Sequence, residues 1–193
     1  MNTVFTQVYS EWKSTHRDIF VSKTSTDASS STSTMVNGIV HNYERSVRSG
    51  KFGIPSGIML NGTISPEKVE AFYKKDISLT LAKTAQQAAV DFFNGKHTSS
   101  ATEGPSLKTY LNALSATDSK TQGSLTKATV DQFQATSAKI NLITNENLNN
   151  VTLTNNQLMK DVYTEMQKSV RMLKVDMTSA MSITITYTDN DGD

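Results

Sequence analysis

The tightest constraint on the fold of this chain lies near its carboxy end. There Leu158, Val162, Met166, Val170, Leu173 and Met177 recur at steps of four, four, four, three and four residues. An α-helix brings residues three and four apart onto one face, so this run forms a single apolar stripe along roughly five turns. Such a helix holds only if its apolar face is covered, which calls for further helices with faces of their own. The chain supplies them. Val4, Val8 and Trp12, with Phe5 and Tyr9 beside them, mark a first helix reaching towards Phe20. Met35, Val36, Ile39, Val40, Tyr43 and Val47 mark a second, expected to stop at Gly50.

Further along, Ser65-Pro66-Glu67 has the chemistry of a helix start, with a capping hydroxyl, a proline at the first position and an acid at the positive dipole end. Val69, Phe72 and Tyr73 form the face of that short helix. A longer helix restarts near Asp76 or Ser78, runs through Leu81, Ala85, Ala88, Ala89 and Phe92, and closes at Asn94-Gly95. Leu107, Tyr110, Leu111 and Leu114 form a short helix after Gly104-Pro105, and Leu125, Phe133 and Ile140 lie on a longer one after Gly123. The residue pattern therefore predicts an all-α fold. It is an antiparallel helical bundle of about four main helices plus short ones, forming a single domain over residues 1–193. The polar run at 24–34 has nothing to bury and is expected to be a flexible Ser/Thr-rich loop open to proteolysis. In the segment 182–193, Ser182-Ile-Thr-Ile-Thr-Tyr187 alternates apolar and polar residues, and one short strand cannot make a sheet. This predicts an extended tail lying along the bundle.

Composition narrows the function. Nineteen Lys and Arg against eighteen Asp and Glu leave a formal net charge of +1, which recruits no polyanion, so nucleic acid is not an expected partner. No stretch approaches the roughly 18 apolar residues of a transmembrane helix. The amino terminus lacks the basic and apolar regions of a signal peptide. The absence of cysteine removes disulfides, thiolate zinc sites and a Cys nucleophile.

Among candidate sites, His41 and Glu44 stand three residues apart on the second helix and can reach one metal ion from the same side. The plainer reading is a surface histidine beside a carboxylate, with Arg45 and Arg48 close by. Gly50-Lys-Phe-Gly-Ile-Pro-Ser-Gly57 can present backbone N–H groups to an anion beside Lys51. It lacks the Gly-Lys-Ser/Thr ending of a phosphate-binding loop, however, and reads more simply as a helix connector. The clustered Asp189, Asp191 and Asp193 miss the ligand spacing of a calcium loop and read as a solvated acidic tail. His16 and His97 have no local partner to orient them for a catalytic triad, and no nucleophile-elbow or zinc-protease motif occurs. Met159, Met166, Met172, Met177 and Met181 offer thioethers to copper, but Met166 and Met177 lie on the apolar stripe and are expected in the core.

Three stretches together resemble the imelysin family. They are Tyr43-Glu-Arg-Ser-Val-Arg-Ser-Gly-Lys-Phe-Gly-Ile-Pro-Ser-Gly57, then Ser65-Pro-Glu-Lys-Val-Glu-Ala-Phe-Tyr73 with Ser78-Leu-Thr-Leu, and the ending Leu173 to Asp193 with its closing Asp-Gly-Asp. The resemblance runs from about Met35 to the end and matches the family's second half, so it implies the carboxy-terminal bundle of a two-bundle protein. It implies a periplasmic or cell-envelope location and a role in binding or taking up iron or another divalent metal. The alternatives it carries are a metal-dependent peptidase of the imelysin type, or a structural module completing a larger bundle. The implied partners are a metal ion and the missing amino-terminal bundle, with Lys51, Tyr73 and the tail from Asp189 as residues able to face it. The family's Gly-x-His-x-x-Glu signature belongs to the first bundle. Gly38-Ile-Val-His41-Asn-Tyr-Glu44 has one residue too many between Gly and His, so the signature is not carried over.

Overall fold

The computed structural model describes residues 2–98, 100 and 102–188. It is an all-helical, antiparallel bundle with an extended carboxy-terminal tail. The four main elements are α3 (Ser31–His41) with its continuation Asn42–Gly53, α4 (Ser78–Asn94), α6 (Leu125–Asn141), and α8 (Asn156–Arg171) with its continuation Met172–Met177. They close a ring: the α3 continuation packs on α8, α8 on α6, α6 on α4, and α4 on the α3 continuation. Glu44 pairs with Lys174 at one level, while Gly53, nine residues further on, abuts Tyr163 at another. The two chains of helix thus run in opposite directions. Short helices α5 (Leu107–Ala113) and α7 (Leu148–Thr154) serve as connectors, and α1 (Asn2–Lys13) and α2 (Thr15–Ser22) precede the bundle.

The apolar stripe of α8 forms the centre of the core. Met159, Val162 and Met166 are fully buried, followed by Val170, Leu173 and Met177, and they meet Val36, Val40, Tyr43 and Phe52 from the α3 side and Leu125, Phe133 and Ile140 from α6. The methionines Met159, Met166, Met177 and Met181 are core side chains, and Met172 packs against the core. Helix α4 ends as its sequence predicts. Gly95 takes the left-handed conformation at φ 71°, and an added Cβ would lie 2.7 Å from the Gly104 carbonyl oxygen.

Three expectations are revised. The second helix does not stop at Gly50. It widens into π-helical turns over Asn42–Gly53, with Ile54 N–H donating to the Ser49 carbonyl five residues back at 2.8 Å. A second π-helical segment covers Met172–Met177. The Ser/Thr-rich run is only partly a loop. Ser30 caps α3 by accepting from the Ser33 N–H, and Ser30, Ser31 and Ser33 are buried, so the irregular stretch ends by residue 30. The segment after Ser65 forms a single 3-10 turn, Pro66–Lys68, lying against α7. Ser65 makes no capping bond, Val69 is buried, and Tyr73 stands 97% exposed.

The tail follows the expectation from its alternation over 183–188. Ile183 is buried, and Asn37 of α3 clamps the segment as a peptide unit of a neighbouring strand would. Its Nδ2 donates to the Thr184 carbonyl at 3.0 Å, and its Oδ1 accepts from the Thr186 N–H at 2.8 Å. The acidic group Asp189, Asp191 and Asp193 lies outside the described residues.

Candidate binding site where two π-helical segments meet

The π-helical turns bring charged side chains into the bundle. Glu44, Arg48 and Lys51 are buried on the first π-helical segment, whereas an ordinary helical period measured from Val36, Val40, Tyr43 and Val47 leaves Glu44 at the edge of the apolar face and turns Arg48 away from it. The neighbours of this segment are α8 and, through Glu44 and Lys174, the second π-helical segment. A buried carboxylate demands compensation, and Glu44 receives it from two directions. Lys174, on the second π-helical segment, donates to Oε1 at 2.9 Å, and the Tyr187 hydroxyl, from the tail, donates to Oε2 at 3.0 Å. The ring of His41 lies 4.7 Å from the ring of Tyr187, between centroids, and the histidine is exposed. His41 and Glu44 are therefore joined through Tyr187, with the histidine on the solvent side and the carboxylate on the core side.

One turn further, Arg48 donates from Nη2 to the Tyr163 hydroxyl at 2.7 Å, its guanidinium carbon 4.0 Å from that ring's centroid. The tyrosine in turn donates to the Met59 sulfur at 2.9 Å. This packing requires Gly53, because a Cβ there would lie 2.5 Å from the Tyr163 ring. Lys51 is paired with Glu70, which cancels the charge that an anion at the Gly50 to Gly57 loop would need. A cavity of about 370 Å³ opens beside this pair, lined by Asn42, Ser46, Gly50 and Ala85 among others. Tyr43 points the other way, donating to Gln86 Oε1 at 2.8 Å, and burial pushes its phenol well above the ordinary tyrosine range.

A second ionic cluster anchors the far side of α8. Arg171 donates to Asp118 Oδ1 at 2.7 Å, to Ser119 Oγ at 2.9 Å, and to Asp176. Thr121 supplies its N–H and hydroxyl to Asp118 Oδ2, both at 2.8 Å. The Arg171 guanidinium and these donors hold the Asp118 carboxyl far below the usual carboxylate range, against the opposing effect of its burial. This cluster ties the connector before α6 to the end of α8.

The other sequence candidates lie apart from Glu44. His16 is on the exposed face of α2, where its ring sits 4.7 Å from that of Trp12, and His97 is exposed in the connector after α4. Lys174 and Tyr187 were not singled out by any motif. They reach Glu44 from 130 and 143 residues away, and no local spacing signals a contact of that kind. Among the described residues, no group of three or more His, Cys, Asp or Glu side chains is gathered closely enough to hold a metal ion, and no helix is long and apolar enough to cross a membrane. In comparisons with known proteins, no family model, no curated protein and no solved structure matches the chain.

Proposed function

We propose that this chain is a non-catalytic, imelysin-like module of the cell envelope that handles iron or another divalent metal as cargo. Its sequence resemblance over residues 35–193 suggests the class. One observation of the fold carries the choice of site: both π-helical segments converge on Glu44, and π-helical turns recur at functional sites. His41 and Glu44 offer two donor groups, fewer than the roughly three protein ligands of a catalytic zinc site. Two donors suit a cargo ion that must also leave. Lys174 competes with the ion for Glu44, so metal entry requires its ammonium to swing away from Oε1.

The test is metal content by elemental analysis after iron loading and dialysis, for the wild-type chain beside His41→Ala, Glu44→Ala and Lys174→Ala. The expected result is metal in the wild type, less in the first two variants and more in the third. Wild-type protein without metal, or metal retained in both His41→Ala and Glu44→Ala, overturns the assignment of this site.

A further inference from the structure

The tail brings more to Glu44 than a capping hydroxyl. Its alternation turns Ile183, Ile185 and Tyr187 to one side and Thr184 and Thr186 to the other. Ile183 is buried and Tyr187 packs partly buried against the core, while both threonines are exposed. Asn37 sets this register. It is 7% exposed and binds the Thr184 carbonyl and the Thr186 N–H together, and a slip of one residue would carry Tyr187 round to solvent. The phenol is thus delivered to one place by bonds that do not involve it.

That place has the spacing of a chelate. Tyr187 Oη and Glu44 Oε2 are 3.0 Å apart. Metal–oxygen bonds of about 2.0–2.1 Å at right angles hold neighbouring oxygens about 2.8–3.0 Å apart, so one ion fits against both with little movement of either. Positive charge already gathers there. The Lys174 ammonium lies 2.9 Å from Glu44 Oε1 and 5.8 Å from the centre of the Tyr187 ring. The His41 imidazole lies against the same ring, 4.7 Å between centroids.

We propose that Tyr187 is a third ligand of the metal site and that the completed donor set selects ferric iron. This rests on the reading of His41 and Glu44 as metal ligands. As the ion binds, the phenol gives its proton to water, and phenolate, carboxylate and imidazole hold the ion together. Two anionic oxygens with one nitrogen form a hard donor set. A phenolate bonds a trivalent ion more strongly than a divalent one of similar size, so zinc gains less from Tyr187 than ferric iron does. The third donor rides on a tail fastened through Asn37 and Ile183, and withdrawing the tail withdraws the ligand. The site can therefore grip a cargo ion and still release it.

The experiment is loading of the full chain with ferric citrate, read as bound iron by elemental analysis and as visible absorption. A phenolate on iron(III) gives a visible charge-transfer band that carboxylate and imidazole do not. Tyr187→Phe keeps the ring against His41 and removes the hydroxyl alone, and Tyr9→Phe, on the amino-terminal arm formed by α1 and α2, is the control. The wild type and Tyr9→Phe are expected to bind iron and show the band. Tyr187→Phe is expected to lose the band and to bind iron about tenfold more weakly or worse, and zinc should displace iron from it more readily than from the wild type. Iron bound without the band, or a band that survives Tyr187→Phe, overturns the ligand role of Tyr187 and leaves His41 and Glu44 standing. Equal displacement by zinc in both proteins overturns the selection of ferric iron. A wild type that binds no iron overturns this inference together with the reading beneath it.

Discussion

Helices α1 and α8 carry apolar stripes written with the same period, yet the molecule treats them in opposite ways. On α8 the residues Val162, Met166 and Val170 are 2% exposed or less and pack between α6 and the first π-helical segment. On α1, Val4, Val8 and Trp12 stand at 64, 47 and 45% exposed, and the arm's ring contacts, such as Trp12 with Phe20 at 5.3 Å, are internal to it. Period identifies which face of a helix must be covered; it carries no information about what covers it. The difference comes from connection. α8 is held on its flanks by α6 and the first π-helical segment, while among the described residues the hydrogen bonds from Ser31 to the Phe20 and Lys23 carbonyls hold the arm at its base.

The comparison breaks most sharply at Met166. Replacing this fully buried side chain by alanine is expected to destabilise the bundle by about 2–5 kcal/mol, read as a lower urea midpoint at unchanged slope. A loss below about 0.5 kcal/mol, the scale of a surface change, would place the α8 stripe in the same class as the arm.

Next in size is the ionic staple that α8 has and the arm lacks. Asp118 is 1% exposed, and its partner Arg171 is about a fifth exposed, which moderates the usual cost of breaking a buried pair. Asp118→Ala is expected to cost about 2 kcal/mol. Acid sharpens the point. The carboxyl is depressed in the folded chain, so its contribution is fully present above the unfolded value of about 3.9 and is lost as pH falls below it towards the lower folded value. Urea titrations of the wild type below pH 4 should therefore show stability falling with a slope that Asp118→Ala flattens. Identical slopes would mean that the pair contributes nothing.

Gly53→Ala tests close packing rather than charge. Its new methyl would lie 2.5 Å from the Tyr163 ring, and relief requires that ring, the Arg48 stacked on it and Met59 to shift. A loss of about 1–2 kcal/mol is expected, with a change in tyrosine near-ultraviolet dichroism. An unchanged midpoint would show that the contact yields freely.

These effects separate what the sequence makes legible from what it hides. The α4 stop at Asn94-Gly95, the α6 and α8 stripes and the alternating tail are local patterns, and local steric and burial rules suffice to read them. The π-helical segments are not legible, because a helical period of 3.6 turns Arg48 away from the apolar face, and Gly50 suggests a stop where the wider turns continue. The cap at Ser30 is hidden within a serine-rich run whose members look alike. Of the candidate site, His41 and Glu44 are visible as a spacing, but Lys174 and Tyr187 come from the far end of the chain, and only the folded bundle brings them to the carboxylate.

The smallest effect is expected in the arm, where it matters most for the comparison. Val8→Ala trims a half-exposed side chain on a helix with no buried residue, so the stability of the bundle should change by less than about 0.5 kcal/mol. Hydrogen exchange gives the complementary reading. Amides of α8 should exchange only through global unfolding, whereas those of α1 should open with free energies near zero wherever the arm has no surface to lie on. Protection of α1 that rises with protein concentration and falls in Val8→Ala would show that its helix is held from outside the chain. Protection equal to that of α8 at every concentration would mean that the arm is folded as firmly as the bundle, and the contrast between the two stripes would then lie in their exposure and not in their stability.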